Sequence, residues 1–295
     1  MYSQIDSNKR KSWILIALFI VFIVGLGWFF GEVMDYGNEI IVLALAISLI
    51  MSFFSYFSGD KVALATSGAK GPINKNDNAY VYRMVENLCI TTGVPMPKIY
   101  IISDPAINAF ATGRDPEHAS VAVTTGAIDK LENEELEGVL AHELSHVKNY
   151  DIRLMMIVIV LIGIVVLFSD IMLRSFFWGG GKKSRSNQGG AILLLVGLVL
   201  AILSPIIGKL IQLAISRKRE YLADASGALI TRYPQGLASA LKKIGQEKSK
   251  MRRANHATAH LYFANPFGGA QKFFDRAFAT HPPLDERIKI LENMA

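Results

Sequence analysis

The chain has 295 residues and only one cysteine, Cys89. A single cysteine excludes an internal disulfide and fits a reducing compartment. Around it, Val81, Val85 and Leu88 recur at helical spacing, so we expect Cys89 to be buried in a protein core and not to be reactive. The sequence also lacks internal repeats and long low-complexity tracts. Its organisation must therefore come from apolar runs and from short motifs.

Charged residues are absent from three long apolar runs, at residues 13–30, 40–57 and 191–208. With its flanks, each run is long enough to cross the hydrocarbon core of a membrane. A fourth run, 154–169, becomes long enough if it continues toward Trp178. The sequence therefore predicts four transmembrane helices, arranged as two hairpins.

The charges beside the first run predict its orientation. Three basic residues precede it: Lys9, Arg10 and Lys11. The loop after it has three acidic residues and neither lysine nor arginine: Glu32, Asp35 and Glu39. We therefore expect a cytoplasmic N-terminus and, since no convincing cleavage site follows, a retained anchor. The basic loop at 175–190 fits this orientation poorly, and a second hairpin that does not fully cross the bilayer is the alternative.

The net charge of +6 raises the question of nucleic-acid binding. The basic residues cluster beside apolar runs, however, where anionic lipid and the orientation rule account for them. We therefore expect the lipid bilayer as a partner and no nucleic acid.

The remaining sequence alternates between helical and β-prone stretches. The polar, glycine-containing segment 58–78 is predicted to be a linker or an ordered loop at the membrane surface. A helix is expected over 80–91. Three β-prone runs at 98–102, 108–112 and 120–124 predict a small sheet. Helical periodicity then predicts four further helices. The first has Asn133 as its N-cap, and the other three cover 212–229, 234–248 and 284–294.

The helix that begins at Asn133 contains the run His-Glu-Leu-Ser-His at 142–146. In a helix, His142 and His146 lie on one face, where two neutral imidazoles can bind a single zinc ion, and Glu143 lies beside them as a base. So short a motif also arises by chance, on an exposed helical face that carries histidine and glutamate. The rest of the sequence must decide between these alternatives.

A catalytic zinc ion needs a third protein ligand. The nearby sequence does not provide one at a known spacing, because Asn149 and Ile152 stand where a metzincin needs glycine and histidine. Asp151 is one residue short of the spacing that aspartate-ligand enzymes use. The third ligand must come from farther along the chain.

Glu220 is the strongest candidate for the third ligand. Two predicted spans separate it from His146, and an even number of crossings returns the chain to the same side of the membrane. Asp224, one turn later, is placed to accept a hydrogen bond from a ligand histidine. The alternative is that Glu220 and Asp224 form ordinary ion pairs with nearby arginines: Arg217, Arg219 or Arg287.

The other histidine pair, His256 and His260, has the same spacing but no carboxylate partner and no clear helix, so we expect no second metal site. His118 follows an Asp-Pro-Glu turn and is interpreted as a turn residue.

Four stretches together resemble one family in the same order. They are 108–110, 138–146 with Asp151, 219–224, and 280–283 with Arg287. On these motifs the chain resembles the HtpX-type membrane zinc metalloproteases of bacteria, relatives of the eukaryotic CAAX prenyl endoprotease. The resemblance covers nearly the whole chain, and chance no longer explains the pentapeptide.

The resemblance implies one zinc ion per subunit, bound by His142, His146 and Glu220, with Glu143 as the base. It also implies residues that support the site or contact substrate: Asp151, Asp224, Arg287, His281, Asn108, Ala109 and Phe110. In the family, His281 is placed to stabilise the oxyanion and Arg287 to hold Glu220 or Asp224. From the residues alone, Asn108 is equally compatible with a strand cap or with an exposed edge that binds a peptide, and His281 with a structural turn.

The expected fold is a mainly α integral membrane protein, with four transmembrane helices and a cytoplasmic α+β zincin-like (gluzincin) domain that contains a small sheet. The expected parts are an N-terminal transmembrane hairpin, the sheet and zinc helix, a second transmembrane hairpin, and the second part of the catalytic domain: 1–60, 61–153, 154–213 and 214–295.

The expected function is a zinc-dependent endopeptidase that cleaves polypeptides at the cytoplasmic face of the bacterial inner membrane. The resemblance implies that its substrates are above all misfolded membrane proteins. An intramembrane site-2-type protease is disfavoured because Glu137, Lys148 and Asp151 flank the motif. A CAAX-processing enzyme would use more membrane helices than the four predicted here. A membrane chaperone or binding protein with structural zinc would use a closed four-ligand site without a base.

Overall fold

A computed structural model describes residues 2–34, 37, 39–158, 160, 161, 163, 217–247, 249–253, 261–266 and 282–294. The predicted span at 191–208 and half of the residues of the span at 154–169 lie outside the described residues, as do His256, His260 and His281.

The chain begins with two long helices that pack against each other, α1 (Tyr2–Met34) and α2 (Glu39–Ser67). Both are long and apolar enough to cross a membrane, α1 over Gln4–Phe29 and α2 over its full length. Large apolar side chains such as Trp28 and Phe53 are exposed on them. These helices coincide with the first two predicted spans.

The prediction of a linker or loop from residue 58 was wrong for its first ten residues, because α2 continues to Ser67. Asp60 and Lys61 end the apolar run but are compatible with a helix. Gly59 is a contact position in this helix, since a Cβ there would lie 2.7 Å from Met156 Cγ. The domain boundary expected at residue 60 therefore falls within a helix.

A four-stranded sheet follows, with β1 (Ala69–Lys70), β2 (Lys98–Ile102), β3 (Ala109–Gly113) and β4 (Ala119–Thr124) in the order β1-β2-β4-β3. Strands β2 and β4 are parallel, and the other two pairs are antiparallel. The three predicted β-prone runs are confirmed to within one residue. The two-residue strand β1 was not predicted, because so short a run carries no periodicity.

Further helices in the described part of the chain include α3 (Ala79–Thr92), α4 (Thr125–Lys130), α5 (Asn133–Lys148), α6 (Arg217–Thr231), α7 (Pro234–Gln246) and α8 (Leu284–Glu292), and residues 151–158 are also helical. The predicted N-cap of α5 was wrong by one residue. The cap is Glu132, whose backbone N–H donates to Glu135 Oε2 at 2.8 Å. This carboxylate satisfies a backbone donor at the start of the helix.

α5 is the central helix of the main core and contacts β3, α3, α6 and α7. It approaches α7 closely at Gly138, where a Cβ would lie 2.9 Å from the backbone nitrogen of Leu237. Cys89 is buried in the same core, as predicted. Burial raises the pKa of its thiol to about 11. His118 lies in a short turn, as predicted, with its ring 2.6 Å from Asp115.

Candidate active site

The predicted metal ligands come from two helices. α5 carries His142 and His146 one turn apart, and α6 carries Glu220 in its first turn. All three residues are buried. α6 approaches α5 closely because Gly227 has no side chain, and a Cβ there would lie 3.1 Å from the backbone nitrogen of His142. Helix packing thus brings together ligands that are distant in sequence.

The possible ligand atoms of these residues face one another. His142 Nε2 and His146 Nε2 are 3.1 Å apart. Glu220 Oε1 lies 3.5 Å from His146 Nε2, and Oε2 lies 3.9 Å from His142 Nε2. A tetrahedral zinc ion with bonds of about 2.0–2.1 Å separates its ligand atoms by roughly 3.3 Å. The three residues therefore fit a zinc ion, and among the described residues they form a group suited to a metal.

Each histidine ring faces a carboxylate with its other nitrogen. His142 Nδ1 lies 2.9 Å from Asp224 Oδ1, and His146 Nδ1 lies 3.0 Å from Asp151 Oδ2. A carboxylate beside Nδ1 favours the tautomer that carries its proton there, which leaves the Nε2 lone pair free for a metal. The two aspartates predicted to support the site thus each contact one of the two histidines.

Arg287 of α8 lies behind this group and is fully buried. Its Nε and Nη2 donate to the two oxygens of Asp224, at 2.8 and 2.7 Å. Its Nη1 is 4.0 Å from Glu220 Oε2. Asp224 therefore does form an ion pair with Arg287, which was the alternative considered from the sequence, but the same carboxylate also faces His142.

The two histidines have opposite pKa shifts in the metal-free protein. Burial lowers the pKa of His142 to about 4, although Asp224 opposes this change. Burial also acts to lower the pKa of His146, but its hydrogen bond with Asp151 and the charge of Glu220 outweigh burial and raise the pKa to about 9. The carboxylates around His146 thus stabilise a positive charge at this ring, and a metal ion bound there would replace the proton on Nε2.

Glu143 lies beside the ligands at the edge of the sheet. Burial raises the pKa of its carboxyl to about 7, although the charge of His146 and a backbone hydrogen bond from Ala111 act to lower it. A carboxyl group with a pKa near neutrality can both accept and return a proton. The backbone of β3 therefore holds the carboxyl group of Glu143 in place next to the two histidines.

The predicted substrate residues border a short segment of the chain, 261–266. Asn108 Nδ2 donates to Ala264 O at 3.0 Å, and Ala264 N donates to Asn108 Oδ1 at 3.1 Å. The backbone of Phe263 donates to Ala109 O at 2.8 Å. β3 is an edge strand, but its residues are buried and this end is covered by residues 261–266, so of the two alternatives for Asn108 the structure does not show the exposed edge. The covering segment is irregular and carries no periodic signal.

Three further residues next to the site were not predicted from the sequence. The Phe263 ring lies edge-on to His142, with centroids 4.9 Å apart, and the guanidinium of Arg287 lies 4.9 Å from the centroid of the same ring. Arg219 Nε lies 3.6 Å from Asp151 Oδ1, and the side chain of Asn8 in α1 hydrogen-bonds to Asp151. Arg219 belongs to the 219–224 stretch, but no sequence pattern linked Asn8 or Phe263 to this site.

A model of the family described as Peptidase family M48 matches residues 75–295. The chain belongs to peptidase family M48. The match includes every described residue of the site except Asn8, which lies before it. The chain is accordingly a membrane metalloendopeptidase, and the activity expected from the sequence is confirmed.

Relatives within the M48 family match over the full length. A protease HtpX homolog of Tropheryma whipplei (strain Twist) is 45% identical over 294 residues, which are 100% of this chain and 98% of the relative. A protease HtpX homolog of Thermoanaerobacter pseudethanolicus is 44% identical over 297 residues, with the same coverage of both chains. The resemblance to HtpX-type enzymes is confirmed.

The crystal structure of S. mikatae Ste24p is similar in fold, with a TM-score of 0.53 and 20% identity. The similarity covers 96% of this chain and 67% of the other. The helical protease domain with its small mixed sheet is therefore a shared fold.

Proposed function

We propose that the chain is a zinc-dependent endopeptidase, with one zinc ion per chain bound by His142, His146 and Glu220. The observation that carries this proposal is a buried two-histidine, one-carboxylate group at tetrahedral spacing, in which both histidines have carboxylate partners. Three protein ligands leave a fourth position for water, as in catalytic rather than structural zinc sites.

The chemistry assigned to the chain's own residues centres on Glu143. Zinc bound at this site would acidify a water molecule and polarise the substrate carbonyl. Glu143 accepts a proton from the attacking water and then delivers it to the leaving amine nitrogen. The carboxyl pKa of about 7 and the hydrogen bond from the Ala111 backbone support this double role.

The supporting residues act through the ligands. We assign Asp151 and Asp224 to the orientation of His146 and His142, and Arg287 to holding Asp224, on the contacts described above. His281 is assigned to the oxyanion on the family resemblance, since it lies outside the described residues.

Asn108, Ala109 and Phe110 are proposed as substrate contacts. The hydrogen bond from the backbone of Ala111, on the same strand, to Glu143 supports this role, because a peptide paired with β3 would lie near the proposed acid–base group. Asn108 already binds the backbone of Ala264 through both its donor and its acceptor. An extended substrate would replace this segment or extend along it.

We propose that α1 and α2 form one transmembrane hairpin and that residues 154–213 form a second. The catalytic parts, 68–153 and 214–295, would then lie at the cytoplasmic face of the bacterial inner membrane. The basic residues before the first span support a cytoplasmic N-terminus. The substrates we propose are misfolded or damaged membrane proteins, a role supported by the likeness to proteases named HtpX homologs.

The test compares Glu143→Gln with the unchanged protein, both purified with zinc. We expect Glu143→Gln to retain zinc, because Glu143 is not a ligand, and to lose peptide cleavage by about 10²–10⁴-fold. Zinc is measured by elemental analysis and cleavage with casein, with and without a chelator. Undiminished cleavage by Glu143→Gln would refute the assignment of the base. The same variant, used to trap substrates in cells, would refute the quality-control role if it captured only soluble cytosolic proteins.

A further inference from the structure

The first helix of the chain reaches the metal-ligand group through one polar side chain. Asn8 lies in α1, before the apolar run that begins at Trp13, and only 1% of it is exposed. Its Nδ2 donates to Asp151 Oδ1 at 2.7 Å and to the backbone carbonyl of Asn149 at 2.9 Å. The two hydrogens of its amide nitrogen therefore both have acceptors in the segment that follows α5.

Asp151 connects this amide to the metal ligand. Its Oδ1 accepts from Asn8, while its Oδ2 lies 3.0 Å from His146 Nδ1. One oxygen of the Asp151 carboxylate thus accepts a hydrogen bond from α1, and the other faces His146. Fixing the first oxygen fixes the direction in which the second oxygen faces the imidazole.

A competing cation makes this restraint important. Arg219 Nε lies 3.6 Å from the same Oδ1 of Asp151, and Arg219 precedes the ligand Glu220. A positive group attracts the buried carboxylate more strongly than a neutral amide does. Without the hydrogen bond from Asn8, we expect Asp151 to turn toward Arg219 and its Oδ2 to leave His146.

The packing of α1 does not itself require an asparagine at this position. α1 packs on the segment after α5 through apolar contacts, with Leu15, Ile16 and Phe19 against Leu154, Ile157 and Leu161. A buried amide costs free energy unless it is hydrogen-bonded, so apolar contacts alone do not explain Asn8. The hydrogen bonds to Asn149 and Asp151 therefore account for a buried asparagine at this position.

We propose that Asn8 is a positioning residue for the metal site: through Asp151 it orients His146, and it thereby couples the first helix of the chain to metal binding. This inference rests on the proposed zinc site. It adds a contribution from outside the residues matched by the M48 family model.

The experiment measures zinc release from the purified full-length protein to a chromogenic chelator. Asn8→Leu keeps the size of the side chain but removes both donors, and we expect release about 3- to 10-fold faster, because direct partners of ligands contribute about 10–100-fold and Asn8 acts one residue farther away. Asn8→Asp places a second carboxylate beside Asp151 and should release zinc faster still. Ser12→Ala is the matched control, since its buried hydroxyl donates within α1, to Asn8 O.

A second arm separates positioning from a general loss of stability. In the double variant Asn8→Asp with Asp151→Asn, the donor and the acceptor are exchanged, and the new amide at 151 can still accept from His146. We expect it to hold zinc longer than Asn8→Asp alone, although thermal unfolding of the metal-free protein need not recover. The zinc-dependent rise in Tm should shrink for Asn8→Leu and stay unchanged for Ser12→Ala.

The outcomes distinguish this inference from the proposed function. If the unchanged protein takes up no zinc, the proposed function fails. If it binds zinc but Asn8→Leu releases zinc as slowly as Ser12→Ala, the positioning role is overturned and the zinc site stands. Should Asn8→Leu fail to fold, the comparison of Asn8→Asp with the exchanged pair decides, and equal release rates for those two would likewise overturn the role.

Discussion

Arg287 binds Asp224 through two parallel hydrogen bonds, of 2.8 and 2.7 Å, and Asp224 in turn lies 2.9 Å from the ring of His142. The C-terminal helix therefore reaches the metal-ligand group through one buried ion pair. Asp151 and Asn8 form a corresponding connection on the other side, from His146 to the first helix. Residues near both ends of the chain thus meet at the two histidines of α5.

We expect Arg287→Met to destabilise the protein by about 3–5 kcal/mol, because removing one partner of a buried pair leaves Asp224 charged and uncompensated. Urea unfolding of the metal-free protein measures this change. The control is Lys242→Met, which removes an exposed pair with Glu292 of the same C-terminal helix and should cost about 0–1 kcal/mol. Equal losses in the two variants would contradict the special role of the buried pair.

Glu220→Gln should lower zinc affinity by more than about 100-fold, since even changes to residues behind the ligands cost about 10–100-fold. A competition titration with a chelator of known affinity measures it. Glu286→Gln is the control, because this carboxylate accepts its hydrogen bond from Tyr221, the neighbour of Glu220 in the chain, at the surface. Wild-type zinc affinity in Glu220→Gln would exclude Glu220 as a ligand.

Asn108→Ala should raise KM for a peptide substrate about tenfold and leave zinc content unchanged, because the substitution removes a proposed substrate contact and leaves the three proposed zinc ligands in place. Steady-state kinetics provide KM and kcat separately. Thr112→Val, on the same strand, controls for a general disturbance of β3. A lower KM in Asn108→Ala would instead show that Asn108 serves to hold residues 261–266 over the strand edge.

Gly138→Ala should destabilise the protein by about 1–3 kcal/mol, because the added methyl group meets the backbone of Leu237 and helix α7 must move. Gly245→Ala is the matched control: its Cβ would lie 3.5 Å from Leu284 Cδ1, an ordinary contact. There the better helix former should stabilise by up to about 1 kcal/mol. Thermal or urea unfolding measures the change in stability of both variants. An unchanged stability of Gly138→Ala would contradict the close contact between α5 and α7.

Alkylation of Cys89 should be slow in the folded protein and should rise with pH. Burial raises the pKa of the thiol to about 11, so the reactive thiolate is a minor form at pH 8 and increases about tenfold per pH unit until the pH approaches 11. In denaturant, the rate should level off near the ordinary thiol pKa of about 8.5. Iodoacetamide labelling followed by mass spectrometry measures both profiles, and identical profiles would show that Cys89 is not buried.

Local features of this protein were predictable from the sequence. The apolar runs of α1 and α2, the β-prone runs and the helical period around His142 depend on neighbours in sequence, so their elements were located to within a few residues. The spacing of His142 and His146 also fixed their common helical face, because four residues make about one turn. The extension of α2 to Ser67 was missed because the segment 58–78 is polar and contains several glycines, whereas Gly59 is a helical residue that packs against Met156.

The sequence by itself determined the pair of histidines and the adjacent Glu143 and, through the parity of predicted spans, favoured Glu220 as their partner. The tertiary structure decided which groups surround them: Asp224 with Arg287 behind His142, Asp151 with Asn8 behind His146, and residues 261–266 over the end of β3. These contacts join residues far apart in the chain by hydrogen bonds between single side chains. Such contacts leave no periodic trace in a sequence, and only helix packing brings their partners within bonding distance.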